Sequence, residues 1–158
     1  MKLDAIDLRI LDAVQRDGRI TKLRLAEQVG LSPTPCWVRL HRMEQAGLIE
    51  GYHARLDPRR VAPVASVIIE VTLANHRQAD FERFEKAIAG RPEITSFWSV
   101  GGGVDYFLMA KTRDIDAYQR MIDQMLADDI GIDRYFTYIV TRTLKESSRI
   151  PVELLAPI

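Results

Sequence analysis

Between Ser32 and Arg42 the chain runs SPTPCWVRLHR, and this stretch concentrates side chains able to do chemistry. Cys36 and His41 offer a thiol and an imidazole, the ligand types of zinc, but a tetrahedral site needs further ligands and none stands nearby. The remaining histidines, His53 and His76, complete no Ser/His/Asp or Cys/His set, and no glycine-rich loop ending in Lys-Ser or Lys-Thr is present. No metal, cofactor or enzymatic activity is therefore expected. What remains is a surface of hydroxyls, methyl groups and cations. Read as a helix starting at Ser32, the stretch turns Cys36, Leu40 and Met43 inward at i, i+4 and i+7. Thr34, Pro35, Trp37, Val38, His41 and Arg42 then face outward with Arg39 beside them. Such a face suits the major groove of duplex DNA. Thr34, Pro35 and Val38 would meet base edges and thymine methyls, and Arg39 and Arg42 phosphates or guanine edges. Trp37 would serve as a brace for the helix or as a backbone contact. An ordinary amphipathic surface helix would show the same pattern.

The prolines fit a helix start. Ser32 stands at the N-cap, Pro33 at the first helical position and Pro35 at the third, where the amides have no intrahelical acceptor. Each ring presets φ near the helical value, and each removes a donor, so contact with a polyanion would depend on side chains.

The elements that position this stretch are short helices. Leu3, Ile6, Ile10, Leu11 and Val14 recur at helical spacing before Asp17-Gly18. Thr21 caps a second helix running to about Gln28, with Leu25, Ala26 and Val29 apolar and Gly30 as its stop. The third runs from Ser32 to about Ala46, and the three have the outline of a helix-turn-helix. Leu48 to Leu56 is expected to be extended, and Asp57 to Val64 to form a linker, giving domains 1–60 and 61–158.

Beyond the linker the pattern changes to βαββαβ, the ferredoxin-like arrangement. Val67, Ile69, Val71 and Leu73 alternate along a strand over Ala65–Leu73; Phe81, Phe84 and Ile88 mark a helix over Gln78–Ala89. Strands are expected over Thr95–Val100, Tyr106–Thr112 and Arg134–Arg142. A helix capped by Asp114 should bury Tyr118, Met121, Ile122, Met125 and Leu126. Ile68, Phe107 and Met109 fall on the opposite sheet face, an apolar excess that predicts burial against a second copy.

Composition agrees. At 47% apolar and 28% charged, the 158 residues belong to a globular class and hold no apolar run long enough to span a membrane. The first residues, MKLDAIDLRI, are unlike a signal peptide, and a single cysteine fits a reducing compartment, so a cytoplasmic location is expected. Net charge is zero, with +3 in residues 1–60 and −3 in residues 61–158. That asymmetry alone would not indicate a polyanion partner.

The run LDAIDLRILDAVQRDGRITKLRLAEQVGLSPTPCWVRLHRMEQAGLIEGYHARLDP resembles the DNA-binding domain of the Lrp/AsnC (leucine-responsive, or feast/famine) regulators. LSPTPC, RLHRMEQAGLIEGY and LDP are its specific parts. VGGGVDYFLMA resembles the G-x-x-D-Y turn of that family's effector domain, followed by DIDAY and the closing strand. The resemblance implies an α+β chain with an N-terminal winged helix-turn-helix and a C-terminal ferredoxin-like effector and oligomerisation domain. It also implies a transcriptional regulator acting on a double-stranded operator, with Ser32, Thr34, Pro35, Trp37, Val38, Arg39, His41 and Arg42 on the DNA side. Dimers pack sheet to sheet, often building tetramers or octamers. An amino acid or related metabolite would bind between effector domains at Gly101, Gly102, Gly103, Val104, Asp105 and Tyr106. Glycine amides could cradle its carboxylate and Asp105 accept from its ammonium group. On the residues alone, the glycines could equally make a simple hairpin loop, with Asp105 bonding its own turn. Tyr135 replaces the first residue of the family's Thr-x-Thr, Thr137 keeps the second, and Glu146-Ser147-Ser148 replaces a commoner threonine pair, so the pocket is expected to be reshaped. A ligand-independent architectural DNA-binding protein is the alternative.

Overall fold

Helix α1 (Ala5–Arg16) begins at Asp4, whose carboxylate accepts from the amides of Ile6 and Asp7, both at 2.9 Å. Asp7 returns the bond by accepting from the Asp4 amide, closing a capping box. Helix α2 (Lys22–Val29) is capped by Thr21 and ends on Gly30, whose φ of 75° only glycine adopts readily. Helix α3 (Pro33–Gln45) starts differently: Ser32 holds the N-cap position, yet its side chain makes no capping bond. The usual donor is the amide of the second or third helical residue, and the third here is Pro35, which has none. The prolines' fixed φ, rather than a cap, starts this helix.

The computed structural model describes residues 1–155, apart from the side chain of Arg59. Two units result, Met1–Arg55 with the tail from Lys145 onward, and Leu56–Leu144. The core of the first unit joins Ile10, Leu11 and Val14 of α1 to Leu25, Ala26 and Val29 of α2 and to Cys36 and Met43 of α3. Assigning residues 61–158 to a single second domain is corrected for the described tail. Val152 and Leu155 pack on the first unit's core, and the Gln15 amide donates to the Ile150 carbonyl at 3.2 Å while accepting from its N–H at 2.7 Å. Residues 156–158 of that assignment lie outside the described residues. Leu48–Leu56, expected to be extended, joins no strand ladder, since a lone segment has no partner to pair with.

In the second unit, β1 (Ala65–Leu73), α4 (Gln78–Ala89), β2 (Ile94–Ser99), β3 (Tyr106–Thr112), α5 (Ile115–Ala127) and β4 (Ile132–Ile139) follow in order. The strands form one antiparallel sheet in the order β2-β3-β1-β4. Val67, Ile69, Val71 and Leu73 meet Tyr106, Leu108 and Ala110 on one face, covered by Phe84 and Ile88 of α4 and by Tyr118, Met121, Ile122 and Met125 of α5. Leu126 is exposed, contrary to the helical pattern. The four buried α5 residues already fill i, i+3, i+4 and i+7, and Leu126 falls about a quarter turn off their centre. β4 ends earlier than expected because its partner β1 begins at Ala65; Val140 makes a last bond to Ser66 and the chain leaves the sheet. On the outer face, register pairs Ile68 with Met109 and Tyr138, and Phe107 with Trp98, around Glu70, which accepts from the Tyr138 hydroxyl at 2.9 Å.

Phe84 is fully buried between helix and sheet. Phe84→Ala should destabilise the protein by about 3–5 kcal/mol, read as an earlier urea midpoint for the second unit.

Candidate functional site

Burying Cys36 and Met43 fixes which side of α3 faces water. Ser32, Thr34, Pro35, Val38, His41 and Arg42 are exposed, Val38 at 62%, while Trp37 and Arg39 are partly covered. An open groove of about 620 Å³ runs along this face, lined among others by Lys22, Thr34, Trp37, Val38, His41 and Arg42. Trp37 also lines it, with Lys22 Nζ 4.3 Å from its ring centre and the His41 ring 4.5 Å away, edge-on. Burial pushes the Cys36 thiol pKa up, which keeps it a neutral core group. Cys36 and His41 lie on opposite sides of α3, and among the described residues no group of three His, Cys, Asp or Glu is placed to hold a metal ion.

The arginines differ from expectation. Arg39 Nη1 lies 2.6 Å from Asp4 Oδ2 and 2.9 Å from Asp7 Oδ1, and Arg42 Nη2 lies 2.9 Å from Asp7 Oδ2. Both guanidinium groups therefore reach back to α1 rather than straight outward. The reason is Asp7: its side chain is 1% exposed, and a polar group taken from water needs hydrogen-bond partners inside the protein. Hydrogen bonds to Asp4 and then Asp7 push the Arg39 pKa further up. The Asp4 carboxyl is held below its ordinary 3.8, first by the Asp7 amide and then by Arg39. Its ionised form thus favours the fold above that value, a contribution lost as pH falls through the lowered one. Lys22 went unnoticed in the sequence, although a cation at the first position of a helix, against the macrodipole, is a local anomaly that marks it.

At the other candidate site, Gly101, Gly102 and Gly103 face open space: a Cβ on any of them would meet nothing within 4 Å. Only Gly102, at φ 136°, needs glycine for its backbone. The loop is closed by Val100 N–H to the Asp105 carbonyl at 3.0 Å and tied to β1 by Asp105 N–H to the Val71 carbonyl at 3.1 Å. Val104 is half-buried beside it. The Asp105 carboxylate does not bond its own turn; it accepts from the Leu73 amide at 2.8 Å and meets His76 Nε2 at 3.0 and 3.1 Å. Tyr106 is corrected as a lining residue. It is buried in the core, its hydroxyl donates to Glu85 at 2.8 Å, and burial followed by Glu85 pushes its pKa up. Tyr135 pairs with Val71 on the far side of β1 from Tyr106 and packs against the core, while the Thr137 and Tyr118 hydroxyls share a hydrogen bond. Within one chain, then, the structure gathers Asp105, Leu73 and His76, and strand β1 separates Asp105 from Tyr135 and Thr137. His76 lay outside every sequence pattern, since its partner is 29 residues away.

The model of the Lrp/AsnC ligand binding domain matches residues 66–150, and that of a winged helix-turn-helix DNA-binding domain matches residues 3–50. The chain belongs to the Lrp/AsnC family. It is 50% identical to the transcriptional regulatory protein DoeX of Halomonas elongata over 94% of both chains. It is 37% identical to the leucine-responsive regulatory protein of Escherichia coli (strain K12), over 96% of this chain and 92% of that one. Among solved structures, a Neisseria meningitidis transcriptional regulator in complex with L-Met superposes with a TM-score of 0.91 at 30% identity, covering 98% of this chain and 99% of that one. AsnC of E. coli superposes at 0.85 with 25% identity, covering 96% and 100%.

This Lrp/AsnC chain is accordingly a DNA-binding transcriptional regulator with a ligand-binding domain. No helix of its described residues is long and apolar enough to cross a membrane. The ion pairs between α1 and α3 hold α3 in place. Asp7→Asn should destabilise the first unit by about 1–3 kcal/mol, the loss of charged hydrogen bonds, seen as a lower thermal midpoint. An unchanged midpoint would remove the Asp7 clamp as a determinant of the helix position.

Proposed function

We propose that this Lrp/AsnC regulator, rather than an enzyme, binds duplex DNA in the cytoplasm through α3 and Lys22. We further propose that an amino acid or close derivative, bound at the Gly101–Asp105 turn, controls it. The observation that carries the DNA reading is the groove on α3, whose lining combines the methyl groups of Thr34 and Val38 with the cationic Lys22 and Arg42. Thr34, Pro35 and Val38 suit base edges, and Ser32, His41 and Lys22 suit phosphates. Arg42 is half exposed and uses one nitrogen on Asp7, leaving other donors for DNA; Arg39 is committed to α1. Trp37 acts as a brace, holding Lys22 and His41 in position.

The effector reading is supported by the exposed glycines beside the Asp105 carboxylate and by the relative solved with L-Met. Copies associate through the outer sheet face, where Ile68, Phe107, Met109, Trp98, Phe136 and Tyr138 would otherwise meet water. Association would also bring the turn of one copy towards residues of another, the setting in which Tyr135 and Thr137 could join a site. Further assembly to tetramers or octamers lets the effector bias the spacing of recognition helices against half-sites about 34 Å apart. A coupling of about 1–3 kcal/mol suffices for a several-fold to hundredfold change in affinity.

Two measurements test this. On a mixed-sequence duplex, Lys22→Ala should weaken binding and lower the slope of log affinity against log salt by about 0.9, while Arg39→Ala leaves the slope unchanged. Equal slopes for wild type and Lys22→Ala would exclude Lys22 from the phosphate contacts. In a thermal-shift panel of the standard L-amino acids, a ligand at about 100 times its Kd should stabilise the protein by about 2.7 kcal/mol, and Asp105→Asn should abolish the shift with the oligomer intact. A panel without any shift would favour a ligand-independent architectural role.

A further inference from the structure

We infer that His76 is an affinity-determining residue of the effector turn: in the free chain it occupies the place at Asp105 that the effector's ammonium group must take. The inference rests on the effector reading given above and adds a competitor to it. The Asp105 side chain is 16% exposed, and the group covering it is an imidazole that is itself 57% exposed. On the sheet side the Leu73 amide already holds Oδ2 at 2.8 Å. On the open side His76 Nε2 spans both oxygens, 3.0 Å from Oδ1 and 3.1 Å from Oδ2. An ammonium group seeking the same lone pairs at the same distance therefore meets the ring.

The ring can leave. It stands in the loop between β1 and α4, and its other described contact is the Phe81 ring at 5.8 Å, a weak hold. The loop's start is anchored separately by the Ala74 amide on the Gly131 carbonyl at 2.9 Å, so a turn of the His76 side chain disturbs no sheet bond. One consequence follows from competition of this kind: apparent affinity is reduced by the fraction of molecules with the ring in place, by the same factor for every ligand that must displace it. The preference for an ammonium group over a neutral hydroxyl then belongs to the Asp105 carboxylate itself.

The test uses the full chain and the standard L-amino acid that gives the largest thermal shift, with its 2-hydroxy acid counterpart, titrated calorimetrically. If the ring is in place ten times as often as not, His76→Ala should tighten the amino acid by about tenfold. It should tighten the hydroxy acid by the same factor, leaving the preference for the amine unchanged. Unchanged or weaker binding of the amino acid by His76→Ala, with binding still lost in Asp105→Asn, would overturn the competitor role and leave the effector site standing. Binding retained by Asp105→Asn, or no binding of any amino acid by the wild type, would remove the site and this inference together. A ligand-free measurement stands beside these: the nitrogen resonances of the His76 ring should move in Asp105→Asn, and resonances that stay in place would show that the ring is not held by Asp105.

Discussion

The carboxylate of Asp7 constrains the whole first unit. Buried in an apolar core it would be intolerable alone, and it is made tolerable by the Asp4 amide and two guanidinium groups of α3. Arg39 and Arg42 are three residues apart, on one edge of their helix, so pairing both with a single carboxylate fixes the rotation of α3 about its own axis. Thr34, Val38 and His41 then lie roughly a quarter turn further round, which is the face left for a partner. The same ion pairs that orient the helix withdraw cations from its outer surface, and Lys22, held over Trp37, restores one.

A second carboxylate has a similar place in the other unit. Asp105 sits where the β2–β3 turn, the end of β1 and the following loop meet; its bond to the Leu73 amide ties the turn to β1, and His76 of the loop covers its open side. The sheet beneath it separates two functions by parity. Residues facing the helices are a closed core, and residues facing away form an apolar surface with Glu70 at its centre.

Much of this was legible in the sequence because it is local or periodic. The alternation of Val67, Ile69, Val71 and Leu73, the Asp114 cap and the Gly30 stop each depend on near neighbours, and the strands and helices follow from them. The outward face of α3 was legible for the same reason, since burying Cys36 and Met43 determines it. What was not legible depends on partners far along the chain. Arg39 and Arg42 looked free because Asp7 is 32 and 35 residues away. Tyr106 looked like part of a turn because nothing nearby reveals Glu85, and the tail was assigned to the second domain because its partner, Gln15, is 135 residues back. Periodicity reports which face a residue occupies; it does not report what that face meets.

The tail also alters what kind of chain this is. With Val152 and Leu155 packed on the core of α1 to α3 and the Ile150 backbone bonded to Gln15, the helix-turn-helix unit is discontinuous, and Leu56–Leu144 is an insertion within it. A gene fragment ending near residue 60 would encode a unit lacking part of its own packing. An inserted domain is joined to its host by two chain crossings instead of one, so the host's core closes only after the whole of Leu56–Leu144 has been synthesised.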